Sequence, residues 1–436
     1  MSLALVGLLA VLAMLALIMT KRVSAMVALI AVPIVAALIM GMGPVQISKF
    51  IVDGVKGVAP TSVMFIFAII FFGVVFDAGM FDPIINAILK VAKGNPVMVV
   101  VGNAILAMVT HLDGSGASTF IITVPAMLPL YKRLNLDVRV LAAVTALGAG
   151  VMNMLPWGGP TIRAATALKV EVADLFNPVI PAQIVGLVAV LVIAFLLGKR
   201  EAKRIGYVAG APVDAASLVH ELSDEAKALR RPKMFLVNIT LTLVIVGGLV
   251  FTKVAPAVYF MVATVIALIC NYPKPADQRA RVDAHAKAAL LMASVLFAAG
   301  AFTGIMKGGG FLKAMATGAT AFIPTDMASH IPFALSLIAM PLSLLFDPDS
   351  FYFGILPVIA EVMTNFGLPA IQAGQAAIVG QMTVGFPVSP LTPATILLVG
   401  LCGVELGDHQ RFTIPLAYVV SLVIAISCVL FGVFPL

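Results

Sequence analysis

At 436 residues the chain has room for two or three soluble domains, but 61% of it is hydrophobic and only 11% is charged, where a soluble domain carries about 25% charged residues. The net charge of +7 sits mostly in short loops beside apolar segments, the positive-inside pattern, and gives no reason to expect nucleic acid as a partner. Three cysteines, with Cys270 and Cys402 in or beside apolar segments, indicate neither a disulfide framework nor a CxxC metal site.

Apolar stretches long enough to cross a hydrocarbon core of about 30 Å recur throughout, from "LALVGLLAVLAMLALIM" (3–19) to "VGLVAVLVIAFLLG" (185–198). The expected fold class is therefore an all-α polytopic membrane protein. The first stretch lacks a basic leader and is followed by Lys21 and Arg22, so it reads as a retained span with its N-terminus outside and not as a signal peptide. A second span covers about 24–41. Residues 44–59 read as an interfacial connection and 61–77 as the third span. An amphipathic stretch at 80–94 carries Lys90 and Lys93 on the cytoplasmic side.

Residues 96–131 form two apolar arms around "HLDGSGASTF" (111–120). Lys93 before them and Lys132 and Arg133 after them place both ends on the same side, and each arm is short for a full crossing. A re-entrant hairpin with "DGSGAS" at its tip fits, because irregular backbone at membrane depth is tolerated only where it is buried in protein or lines a wet cavity. The next span, 138–168, is broken by "NMLPWGGPT" (153–161), whose two prolines and two glycines cannot continue a regular helix. A further span leads to "KREAKR" (199–204), and 199–233 reads as a basic, solvated cytoplasmic linker.

The remainder, 234–436, repeats the pattern of 1–198. "GVVFDAGMF" (73–81) corresponds to "GIMKGGGF" (304–311), "LDGSGASTF" (112–120) to "LFDPDSFYF" (345–353), and "NMLPWGGPTIRAAT" (153–166) to "VGFPVSPLTPATIL" (384–397). The second set places a hairpin at 330–366 and a broken helix at 370–400. It starts from the opposite side, which predicts two inverted repeats with about 10 transmembrane helices, two re-entrant hairpins and broken helices. That organisation marks transporters, and the corresponding broken segments point to the binding site.

A half-helix ending at membrane depth presents free N–H groups and a positive dipole end, and so favours anions. Candidate substrate contacts are Ser115, Gly116, Ser118 and Thr119 at the first tip, and Asn153, Gly158, Thr161 and Arg163 at the first break. In the second half they are Ser350, Thr383, Ser389, Thr392 and Thr395. Asp113, Asp347 and Asp349 lie at hairpin tips, where an ionisable residue is costly and points to function. Their oxygens suit a hard divalent cation or a coupling proton. His111 is a candidate relay, with a buried hydrogen-bonded histidine as the plainer reading. No GxSxG, HExxH or Walker sequence occurs, so chemistry on the substrate is not expected.

"LDGSGAST…ITVPAMLPLYKRL", "AGVMNMLPWGGPTIRAATAL" and "DAGMFDPI" resemble the citrate–metal:proton symporter family (CitMHS) of the ion transporter superfamily, over essentially the whole chain. The resemblance implies import of citrate complexed with Mg²⁺ or Ca²⁺, coupled to protons, with no permanently bound cofactor. It also implies a multi-pass protein of the bacterial inner membrane, working as a homodimer by an elevator mechanism. The family pattern often carries an acidic residue where this chain has Ser115, so a metal-independent di- or tricarboxylate symporter stays open. A cation:proton antiporter is a second alternative, and hydroxyl-rich tips favour an anion carrier over it. A membrane enzyme would need a nucleophile–base constellation that the sequence lacks. Broken-helix repeats favour alternating access over a channel.

Overall fold

The computed structural model describes residues 2–92, 95–207, 224–252, 254–320 and 323–436. Lys93 and residues 208–223 of the linker, to which sequence reasoning assigned roles, lie outside them. The chain begins with α1 (Leu3–Met19) and α2 (Ala25–Ile39), capped by Ser2 and Ser24, and the 34-residue α3 (Pro44–Asp77). Next come the amphipathic α4 (Asp82–Ala92) and a helix pair, α5 (Pro96–Thr110) and α6 (Gly116–Arg133). Then follow α7 (Val138–Met152), α8 (Gly159–Leu168), the short α9 (Val172–Phe176) and α10 (Ile180–Arg204).

After α11 (Asp224–Leu229) the order returns with α12 (Phe235–Phe251), α13 (Pro256–Asn271), α14 (Pro275–Gly308) and α15 (Phe311–Thr320). A second pair consists of α16 (Ile331–Leu342) and a π-helical turn that runs into α17 (Leu356–Asn365). The chain closes with α18 (Ile371–Ile378), α19 (Pro393–Cys402) and α20 (Leu406–Leu430). Counterparts match in length: α3 and α14 have 34 residues, α8 and α19 have 10, and α10 and α20 have 25.

Six helical stretches among the described residues are long and apolar enough to cross a membrane, including Pro44–Asp77, Val172–Arg204 and Pro275–Gly308, and shorter apolar helices accompany them. Large apolar side chains such as Leu12, Val192, Leu243 and Val265 face outward, as lipid contact requires. This is a multi-pass membrane protein. One sequence reading needs correcting: residues 44–59 are not a separate connection. Pro60 removes a single backbone donor, and α3 runs straight through it. At 1.5 Å per residue its 34 residues reach about 50 Å, well beyond the hydrocarbon core.

α3 and α14 pack together through glycines. A Cβ on Gly54 would stand 2.0 Å from Gly300 O and 2.9 Å from Gly304 Cα, and one on Gly304 would stand 2.2 Å from Phe50 O. Small residues here let the two backbones touch, the packing mode that operates where lipid supplies no hydrophobic drive between helices.

The described ends of the linker are docked, which differs from the solvated segment expected. Arg230 Nη1 donates to Phe76 O and Asp77 O, and its Nε pairs with Asp82 at 2.9 Å. Arg231 donates to Asn271 O. The two arginines thereby satisfy helix-end carbonyls that have no intrahelical partner. At the other end Glu201 is buried, pairs with Arg204 and accepts the Asp137 N–H at 2.7 Å. Asp137 caps α7 outside the spans. Burial pushes its carboxyl upward, but the Arg139 hydrogen bonds outweigh that and hold it below its ordinary range.

Candidate functional site

The α5–α6 pair closes over a tight tip. A 3₁₀ turn at His111–Asp113 ends on Gly114, whose φ of 72° suits a residue without a Cβ. Asp113 Oδ1 accepts the Ser115 N–H at 2.8 Å, the Ser118 hydroxyl hydrogen-bonds the same carboxylate, and Ser115 Oγ caps α6 by accepting the Ser118 N–H. Trp157 of the first break pins this tip by donating to Leu112 O at 2.7 Å. The break occupies residues 153–158, where Gly158 turns so tightly that a Cβ would lie 2.3 Å from Asn153 O. α8 then begins with no side-chain cap, leaving its first N–H groups unclaimed.

The second half is built alike. Asp347 Oδ1 accepts from the N–H groups of Asp349 and Ser350, and its other oxygen receives the Ser350 hydroxyl. The second break, between α18 and α19, is turned by Met382 in the left-handed region at φ 52°. It is held to its own tip by Ser343 Oγ, which accepts the Met382 N–H at 2.8 Å, and by Tyr352, which donates to Gln381 O. His409 and Gln410 of α20 reach the carbonyls of Pro387 and Val388, as Gln183 of α10 reaches Val151 O in the first half. Sequence reasoning did not find these supports.

The halves are tied crosswise. Asn153 Nδ2 donates to Met382 O at 2.8 Å. Arg163 of α8 pairs with Asp349 of the second tip at 2.7 Å, and both are largely buried. His111 and Phe120 of the first hairpin stack on Phe386 of the second break. Gly116 approaches the same ring, where a Cβ would stand 2.7 Å away.

A cavity of about 300 Å³ opens beside the first tip, at the small end of the range for ligand pockets. Asp113, Gly114, Ser115, Ser118 and Trp157 form one wall, and Phe65, Phe72 and Phe76 of α3 with His285 and Met292 of α14 form the other. Among the described residues Asp113 is the one carboxylate lining it. Among the predicted contacts the structure therefore brings Asp113, Ser115 and Ser118 to a common space.

Other predicted residues are engaged elsewhere. Thr161 donates to Met154 O, Ser389 to Ser343 O, and Thr392 and Thr395 both to Phe386 O. Thr119 bonds Ser115 O, and Ser350 binds Asp347. These hydroxyls stabilise the broken backbone. His111 is fully buried, with Nδ1 2.8 Å from Thr119 Oγ1 and Nε2 3.3 Å from Asn153 Oδ1, which matches the plainer of its two readings. Asp347 and Asp349 do not line this cavity. Among the described residues, Thr383 Oγ1 and Gln381 Oε1 are buried with no hydrogen-bond partner.

His285 was missed. Its Nε2 lies 2.9 Å from Asp77 Oδ2, and Arg281, one turn earlier on α14, reaches the same oxygen at 3.1 Å. Asp77 stood within a motif that the repeat had already marked, but nothing local to it announces a partner two hundred positions away.

Comparison with known proteins adds a family. Residues 3–385 match the profile of the family described as citrate transporter (CitMHS). A Bacillus subtilis protein named citrate transporter is 43% identical over 99% of both chains. Another from the same organism, named Mg(2+)/citrate complex secondary transporter, is 41% identical over 99% of this chain and 98% of its own. Among solved structures, the Alcanivorax borkumensis YdaH transporter superposes with a TM-score of 0.62 at 14% identity, over 88% of this chain and 86% of that one. That likeness concerns the fold alone.

Proposed function

The chain belongs to the citrate transporter family, and we propose that it is a secondary transporter that imports citrate, or a related di- or tricarboxylate, as a divalent-metal complex together with protons. One observation carries the reading: Asp113 and the hydroxyl-bearing Ser115 and Ser118 face a cavity large enough for a small polycarboxylate, at the end of a discontinuous helix pair. Hydroxyls donate to carboxylate oxygens, and a hydrogen bond to a charged group is worth about 1.5–3 kcal/mol. Asp113 is placed to meet a hard cation with an oxygen ligand. With a single carboxylate on the walls, most of the cation's ligands would come from citrate, which fits metal as cargo better than as a resident cofactor. The names of the two relatives favour the same substrate class.

The matched helix order supports two inverted repeats, 1–198 and 234–436, joined by the linker, with the linker on the cytoplasmic side and both termini outside. The sets α1–α3 and α12–α14 form the fixed scaffold of a homodimer, and the tips with their breaks form the part that carries substrate. The chain's polar groups are spent on binding and on broken backbone, so it acts as a carrier and not as an enzyme. The test is uptake of labelled citrate into proteoliposomes with and without Mg²⁺, Ca²⁺ and an imposed pH gradient. Uptake that ignores both metals establishes the metal-independent symporter instead, and no citrate uptake under any condition refutes the reading.

A further inference from the structure

Across the cavity from the tip, α14 presents an imidazole in a fixed orientation. His285 Nε2 is committed to Asp77 Oδ2 at 2.9 Å. Its ring lies against Gly73, where a Cβ would stand 2.5 Å from Cγ, Cδ2 and Nδ1, so the glycine makes room for the ring. Gly73 and His285 both line the cavity, and among the described residues no hydrogen bond reaches Nδ1.

We propose that His285 is the scaffold's contact for the substrate anion and takes up the proton that travels with it. This rests on the carboxylate-transport reading above. The argument is one of tautomers. A carboxylate at Nε2 fixes the N–H there, which leaves Nδ1 of the neutral ring as an acceptor, unable to hold a carboxylate. Nδ1 becomes a donor only when the ring gains a second proton. A substrate carboxylate arriving at Nδ1 therefore binds the imidazolium and brings one proton from solution, and that proton leaves when the anion does.

The surrounding charges suit the task. Asp77 of α3 lies against the ring from behind, and Arg281 on the same helix shares that carboxylate. Arg230, docked at the end of α3 with Asp82, and Arg231 beside Tyr272 lie further out. α2, packed on the same helix, carries no charged residue. Across the cavity stands Asp113. The cavity thus has an anionic wall on the tip and a cationic-when-protonated wall on the scaffold, which orients a metal–citrate complex: metal towards Asp113, free carboxylate towards His285.

The experiment uses the single tryptophan, Trp157, which lines the same cavity. Its fluorescence is titrated with Mg²⁺–citrate in detergent at several pH values between about 7 and 9, above the ordinary histidine range. Binding that takes up one proton weakens about tenfold per pH unit there. The wild type should show that slope, and His285→Gln should bind more weakly with a flat profile. In proteoliposomes, a pH gradient should drive accumulation by the wild type and not by His285→Gln. Should His285→Gln not fold, His285→Asn, whose shorter side chain sits more easily against Gly73, decides the matter by the same loss of slope. An unchanged slope and unchanged gradient-driven accumulation in the histidine variant that folds overturns the assignment to His285 while leaving citrate transport standing. A wild type that neither binds nor transports Mg²⁺–citrate overturns both.

Discussion

Asn153→Ala separates a residue that holds the site together from one that touches substrate. From its place at the first break, Asn153 reads as a donor to the substrate, and its removal would then weaken affinity alone. In the structure both ends of its amide are taken: Nδ2 donates to Met382 O at 2.8 Å, and Oδ1 lies 3.3 Å from His111 Nε2. Asn153 and His111 are buried, so truncation strands the carbonyl at the turn of the second break and a ring nitrogen at the first tip. Each orphaned buried group costs about 1–3 kcal/mol, which gives a loss of about 2–6 kcal/mol. At about 2 °C per kcal/mol for a large chain, the apparent melting temperature should fall by about 4–12 °C. The assay is thermal unfolding in detergent followed by size-exclusion chromatography, with Trp157 fluorescence reporting substrate binding in the protein that remains folded. An unchanged melting temperature combined with weakened citrate binding would refute the reasoning, because the amide would then be serving the substrate and not the two breaks.

Ser118→Ala removes the hydroxyl that hydrogen-bonds the Asp113 carboxylate and should weaken citrate binding about ten- to a hundredfold, as loss of a charge-assisted hydrogen bond at the site does, with a smaller fall in melting temperature than Asn153→Ala; affinity at the wild-type level removes Ser118 from the cavity's working face. Gly54→Ala drives a Cβ to within 2.0 Å of Gly300 O, where no flexible side chain can yield, and should cost at least the 1–3 kcal/mol typical of overpacking, read as lost folded yield; a fully stable variant means that the α3–α14 crossing is looser than described. Asp349→Ala leaves the buried Arg163 unpaired and should cost about 3 kcal/mol, while Arg163→Met combined with Asp349→Leu should recover most of that loss. A double variant as unstable as the sum of its single changes shows that the pair is not coupled.

The breaks and tips were legible because proline and glycine act locally: "LPWGGP" cannot be helix, and Asp113–Gly114 cannot avoid a turn. The spans were legible from apolar length. What the sequence hid is which polar group faces the cavity and which faces the backbone. A serine or threonine chooses between a backbone carbonyl and a ligand according to tertiary surroundings, and Thr161, Ser389, Thr392 and Thr395 all bond carbonyls six or more positions away. Arg163–Asp349 and His285–Asp77 join positions 186 and 208 residues apart, a separation at which periodicity says nothing. "PADQRARVDAHAKA" reads as a solvated helix face, and only the return of α14 against α3 turns its histidine into a cavity wall. Residues 44–59 were misread because "DGVKG" and Pro60 imitate a connection, whereas the intact helix buries Gly54 and Val58 against α14.

The distribution of polar ties has a mechanical consequence. Each tip is hydrogen-bonded to its own break, and the two breaks are bonded to each other through Asn153 and Met382. Moving one tip alone would require several buried hydrogen bonds to be lost at once. Towards α3 and α14 the first tip instead meets aromatic and small side chains across the cavity. Apart from the docked linker ends, contact between the helices α1–α3 and α12–α14 and the rest of the described chain is largely apolar, with a weaker hydrogen bond from Asn177 Nδ2 to Leu249 O at 3.3 Å. Apolar surfaces in a membrane can exchange one set of contacts for another with little net cost, since lipid is as apolar as the side chains they leave. Displacement is therefore least costly along the face that carries the cavity, with tips and breaks travelling as one body. A substrate held by Asp113 would move with that body.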